Sequence, residues 1–213
     1  MHSNLWKEAS LAAAAGVLAS VARAGDAVAV DELIAKIKSQ DEKVRTQGWL
    51  GAGQVGAAAV KPLAETMTDA NREVALAAKR ALAQIVHDAG RPGADEQKKA
   101  VIAQLLLLLG DDRPAAVRRE VLWLISEIGG DESVDAVAAL LTNAEFREDA
   151  RCVLQRIPGD MSLAALRAGL ESLPADFRPA MAESLRTRGV PVSGYPDQKL
   201  VPTKATGVKP VGR

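Results

Sequence analysis

The sequence predicts an all-α protein, a right-handed α-solenoid of about five stacked helix pairs with a disordered C-terminal tail. Three observations predict it. First, a short phrase recurs: Asp41 before Val44-Arg45, Asp69 before Val74, Asp112 before Val117-Arg118, Asn143 before Phe146-Arg147, and Phe177-Arg178 without the leading acid. The intervals between its Val or Phe positions are 30, 43, 29 and 31 residues. Repetition near 30 residues marks units that cannot bury their apolar faces alone and must stack on one another. Second, apolar residues recur four, eight and eleven positions after each Val or Phe, giving Gly48, Ala78, Val121, Ala150 and Met181, then Ala52, Leu82, Ile125, Leu154 and Leu185, then Val55, Ile85, Ile128 and Ile157. Those offsets trace one face of a helix. Third, 48% of the chain is hydrophobic but only 3% aromatic. Ala, Leu, Val and Ile must therefore fill the core, and small or unbranched residues favour helix and close helix approach.

Each unit reads as a first and a second helix. In the first unit Leu33, Ile34 and Ile37 share a face over Val30 to Ser39. Ser39 and Glu42 fit a capping box opening a second helix that runs through Val44 and Trp49 to Val55, ended by Gly56. The second unit carries Val60, Leu63 and Met67, then Val74, Ala78, Leu82 and Ile85. The 43-residue interval that follows contains an insertion, placed at residues 87–99, whose Gly90, Pro92 and Gly93 read as loop. In the third unit Val101, Ile102, Leu105, Leu106 and Leu109 precede a helix opened by Asp112 and Pro114 and stopped by Gly129-Gly130. The fourth has Val134, Val137, Leu140 and Leu141, then a helix from Phe146 stopped by Pro158-Gly159. The fifth has Leu163, Leu166 and Leu170, then Phe177, Met181 and Leu185 before Gly189. Arg188 interrupts the stripe where a terminal repeat meets solvent.

The two ends differ from the repeats. Residues 1–24 resemble an export signal: Lys7 in a polar start, an apolar small-residue run from Ala9 to Ala22, and Ala22-Arg23-Ala24 as a cleavage site before Gly25. The alternative is a helix capping the stack. The repeat domain is placed at residues 25–188 and a basic tail with several prolines and glycines at 189–213, extended and without an apolar period. Residues 25–185 hold 19 Lys and Arg against 25 Asp and Glu, a net −6, and residues 186–213 hold six basic residues against one acidic, a net +5. An acidic body repels phosphate, so wrapping a nucleic-acid duplex is disfavoured. The single cysteine, Cys152, cannot form an internal disulfide, and its place in an apolar run predicts a small buried hydrophobe.

The D-x-x-V-R start, the apolar stripe of the second helix and the closing Ile-Gly resemble HEAT repeats, of the short kind first recognised in phycobilisome lyases. The resemblance covers roughly residues 27–188, and Val117-Arg118 to Gly129 is its cleanest copy, whereas Ala75 stands where the second unit should carry arginine. It implies an armadillo-like helical fold, and it leaves function open among scaffolds, adaptors, lyases and nucleic-acid-binding proteins. Some HEAT-repeat hydroxylases hold iron through His-Glu pairs; this chain has no such dipeptide and only two histidines, His2 and His87.

No catalytic, cofactor-binding or metal-binding constellation is legible. The glycines at 48, 51, 53 and 56 lie along a helix rather than in a phosphate loop, and read as close packing or a weakened terminal unit. Candidate partner-binding residues are the arginines of the phrase, Arg45, Arg118, Arg147 and Arg178, with Lys79 and Arg151 one turn on. Either the arginines bond aspartates or carbonyls of neighbouring turns, as the resemblance implies, or they form a basic strip for an acidic peptide. Trp49 and Trp123, five and six positions after Val44 and Val117, fill space between repeats or anchor a ligand. The expected function is a noncatalytic module binding a protein or peptide on its concave second-helix face, exported if residues 1–24 are a signal and cytoplasmic otherwise. A tetrapyrrole-handling lyase or isomerase and a nucleic-acid binder are the alternatives.

Overall fold

The computed structural model describes residues 24–110 and 112–195. The expected leader, up to Ala24 where the first helix begins, and the tail from residue 196 onward lie outside the described residues. Ten α-helices and three short 3-10 segments make up the described fold, which contains no strand. In chain order they are α1 (Ala24–Ile37), α2 (Glu42–Gly51), α3 (Val60–Thr66), α4 (Arg72–Ala89), α5 (Asp95–Leu109), α6 (Ala115–Ile128), α7 (Asp131–Ala138), α8 (Arg147–Arg156), α9 (Asp160–Ser172) and α10 (Arg178–Thr187). The 3-10 segments are Ala52–Gln54, Gly56–Ala59 and Ala139–Thr142. The described fold is all-helical.

Consecutive helices pair as α1 with α2, α3 with α4, and so on to α9 with α10. The second helices α2, α4, α6, α8 and α10 each pack on the next, and so do the first helices α1, α3, α5, α7 and α9. Between the two layers runs one hydrophobic core. Its fully buried large side chains include Ile37, Leu63, Leu82, Ile85, Ile102, Leu105, Ile125, Leu154, Ile157, Leu166 and Met181. The repeated stripe supplies much of it: all the residues at offsets four and eight are buried, as are Val74, Val117, Phe146 and Phe177 at its origin. Only Val44 and Val55 of the first unit are half-buried.

Helix starts show where side chains compete for backbone N–H groups. Asp41, not Ser39, caps α2, accepting from the Lys43 N–H at 2.8 Å, while the Ser39 hydroxyl accepts from the Asp41 N–H at 3.1 Å. Asn71 caps α4 through the Glu73 N–H at 3.0 Å, itself steadied by Asp69, which accepts from the Asn71 N–H at 2.9 Å. Asp41 thus serves a helix N-terminus directly and Asp69 serves one through Asn71, where orphan N–H groups need acceptors. Further differences concern length. α1 starts at Ala24, earlier than Val30: Gly25 is accommodated in its first turn, and Asp26 suits the positive end of a helix. α2 stops at Gly51, well before Val55, as the glycine-rich run gives way to 3-10 turns. Gly48 permits a close approach of α1 and α2: a Cβ there would lie 2.9 Å from the Lys36 Cβ and 3.4 Å from the Ile37 amide nitrogen. The insertion is mostly helix: α4 runs on to Ala89 and α5 begins at Asp95, leaving only residues 90–94 as loop. Pro114 sits at the N-cap of α6 rather than in its first turn.

The last unit closes differently from expectation. Arg188 is half-buried and turns back on α8. Its Nη1 donates to the Ile157 carbonyl at 2.7 Å, the Leu154 carbonyl at 3.2 Å and the Ser162 hydroxyl at 3.1 Å, and its Nη2 donates to the Gly159 carbonyl at 3.1 Å. A guanidinium thus satisfies the carbonyls that α8 leaves open at its C-terminus. Val190 and Val192 then pack against the core and Arg186 donates to the Tyr195 carbonyl, so ordered packing continues past Gly189.

Candidate functional site

The packing of the second helices fixes what each exposes. Every residue of an α-helix turns about 100°, so the stripe at offsets 0, 4, 8 and 11 centres near 35° and an offset of six points almost directly away from it. That sixth position is Leu50 on α2, Arg80 on α4, Trp123 on α6, Cys152 on α8 and Glu183 on α10, and all five are exposed. Leu50 and Trp123 are each 55% exposed, unusually open for large apolar side chains in so complete a core.

Cross-helix contacts hold these positions in register. Arg80 lies 5.8 Å from the centre of the Trp49 ring, joining α4 to α2. Lys79 pairs with Glu120 at 2.6 Å, joining α4 to α6. Arg119 reaches Asp149 at 3.3 Å, and Arg156 pairs with Glu127 at 2.6 Å while lying 4.9 Å from the centre of the Trp123 ring. Trp123 and Arg119 of α6, with Asp149, Cys152 and Arg156 of α8, line a shallow cleft of about 60 Å³. Neighbouring second helices therefore meet within about one turn of equal offsets, and Glu127 and Arg156 meet at the same one.

The eight candidate residues do not form one surface. Arg45 donates to the Ser39 and Gln40 carbonyls at 2.9 and 3.0 Å, Arg118 to the Leu109 carbonyl at 2.8 Å, and Arg178 to the Leu173 carbonyl at 2.7 Å. Each closes the end of the preceding helix. Arg147 reaches forward to Asp176 at 2.9 Å and lies 4.6 Å from the centre of the Phe177 ring, much as Arg118 lies 4.3 Å from that of Phe146. Arg151 is held by Glu148, by Gln155 at 3.0 Å and by the Ser184 hydroxyl at 2.5 Å. Lys79 is spent on Glu120. Trp49 is half-buried against the core, whereas Trp123 is open to solvent.

Cys152 is exposed, not buried as its apolar neighbourhood suggested. Ala150, Val153 and Leu154 take the inner face of α8, and the sixth-position phase leaves Cys152 outside. Partial desolvation pushes its thiol above the ordinary range, opposed by the Arg151 guanidinium, whose Nη2 lies 3.2 Å from the sulfur. The hydrogen bond from Arg151 holds the Glu148 carboxyl below its usual value. Leu50, Arg80, Arg119, Cys152 and Arg156 were missed as surface residues, although the helical phase of the phrase points to three of them. Among the described residues no group of His, Cys, Asp or Glu is placed to hold a metal ion, and no helix is long and apolar enough to cross a membrane.

No family model and no curated protein matches the chain. Among solved structures, the crystal structure of an engineered protein, a Northeast Structural Genomics Consortium target, is similar at 23% identity, covering 74% of this chain and 78% of that one with a TM-score of 0.39.

Proposed function

We propose that the chain is a right-handed α-solenoid of HEAT-like helix pairs and works as a noncatalytic interaction module, taking a protein or peptide partner on the exposed face of its second helices. One observation carries this reading: two large apolar side chains, Leu50 and Trp123, stand exposed at the same repeat position on a face whose register is held by cross-helix ion pairs. An exposed tryptophan beside a cleft and ringed by arginines has the composition of an interface anchor. Stacked units extend such a face in one direction, which suits an elongated ligand. The arginines of the recurring phrase, by contrast, support the stack through helix-end carbonyls and Asp176. The tetrapyrrole-lyase and nucleic-acid readings gain no support on this face, whose cations are largely matched to carboxylates.

The test uses the chain's single cysteine. A photoactivatable label on Cys152 lies beside Trp123 and should crosslink a specific protein from the native cell, and the Trp123→Ala chain carrying the same label should not. A crosslinked set identical with and without the tryptophan would sink the reading. Export through residues 1–24 is the companion proposal: N-terminal sequencing of the native chain should begin at Gly25, and an intact Met1 would refute it.

A further inference from the structure

Leu50, Arg80 and Trp123 occupy one repeat position on three consecutive second helices, with the cation in the middle. Packed helices lie about 8–10 Å apart, so the backbones carrying Leu50 and Trp123 are separated by about two such spacings, with the Arg80 guanidinium leaning toward α2 over Trp49. Arg80 differs from its neighbours. Lys79, Arg119, Arg151 and Arg156 are each paired with a carboxylate, whereas Arg80 makes no hydrogen bond or ion pair among the described residues and only lies over Trp49. An exposed guanidinium left unmatched between two apolar anchors is complementary to a carboxylate flanked by two apolar groups.

The spacing selects a backbone for that ligand. A polyproline II helix has three residues per turn and a rise of about 3.1 Å, so side chains at i, i+3 and i+6 share a face at intervals of about 9.3 Å. That interval falls within the range of packed-helix spacings. An extended β-strand would turn alternate residues away and match it poorly. Building on the reading of this face as an interaction surface, we infer that its ligand is a peptide in the polyproline II conformation, apolar at i and i+6 and acidic at i+3. The apolar side chains meet Leu50 and the Trp123 cleft, and the carboxylate meets Arg80. Proline-rich segments also bind aromatic surfaces at low entropic cost because they are already extended.

The test is a library of proline-scaffold peptides varied at i, i+3 and i+6 and screened against the full chain. Selected peptides are then measured by fluorescence anisotropy against the natural protein, Trp123→Ala and Arg80→Glu. Both side chains are exposed, and circular dichroism checks that the variants keep the fold. The expected selection is Asp or Glu at i+3 with apolar residues at i and i+6. Affinity should fall about tenfold or more in Trp123→Ala, and Arg80→Glu should reverse the central preference to Lys or Arg. Peptides that depend on Trp123 but show no central acidic preference would overturn the ligand class and leave the interaction surface standing. Peptides that bind regardless of Trp123 would sink both. Self-association of the chain that disappears in Trp123→Ala would give the row to a second copy, and would also overturn the inference.

Discussion

Ser133 and Ser162 show how one hydroxyl can matter differently in two neighbouring units. Each is the third residue of a first helix that begins after glycine, and each is fully buried. Ser162 donates to the Ile157 carbonyl at 2.8 Å and receives Arg188, whereas the Ser133 hydroxyl has no hydrogen-bond partner. Ser133→Ala should therefore be neutral or stabilising in urea unfolding. Ser162→Ala should cost about 1–3 kcal/mol, because removing one partner strands the others. Arg188→Ala, which frees the carbonyls at the end of α8, should cost about 1.5–3 kcal/mol in the same measurement. Two titrations are also expected. Cys152 should alkylate slowly at neutral pH, its rate rising through a midpoint above that of an ordinary thiol, since burial disfavours the thiolate. Glu148 has a depressed folded-state pKa, so its contribution is complete above the unfolded carboxyl value and is lost as pH falls through the lower folded one. Glu148→Gln should flatten the acid side of the stability profile slightly, because the carboxylate is 59% exposed and screened by solvent.

At the scale of the element, helix existence was legible and helix ends were less so. The stripe at four, eight and eleven located all five second helices because a buried face must repeat with the helical period. Ends depend on which of several adjacent polar side chains reaches an N–H first, and spacing does not decide between Ser39 and Asp41. The residues inserted after His87 read as loop on their Gly and Pro content, yet Ala89 and Ala94 are buried and the flanking turns extend as helix over the core. The exposed row was legible in principle, since an offset of six is opposite the stripe. The arginines directly after Val or Phe do not mark it: Arg45, Arg118 and Arg178 turn to carbonyls at or just past the end of the preceding helix and Arg147 to Asp176, contacts that exist only once the pairs are packed. Gly159 joins α8 to α9 at φ +99°, a backbone region that a Cβ strains, and a Cβ would also lie 3.1 Å from Asp131. Gly159→Ala should lower stability by about 1–3 kcal/mol in thermal or urea unfolding.

Over the whole molecule, one core runs unbroken from Val30 to Leu185. Nearest-neighbour stacking of this kind makes each unit's stability depend on the next. Leu154→Ala, at a fully buried site in the fourth unit, should cost about 2–5 kcal/mol and be felt by α10 as well as α8. The face opposite that core leaves large side chains such as Leu50 and Trp123 open to solvent rather than packed within it. Trp123 is the sharpest case. Comparing Trp123→Ala with the natural chain for thermal midpoint and for capture of the crosslinked partner tests the central claim in one step. If Trp123 anchors a partner, the midpoint shifts by no more than about 2 °C, as for a surface substitution, and partner capture is lost. A large fall in the midpoint, or capture that survives, would contradict it and return Trp123 to the role of a packing residue.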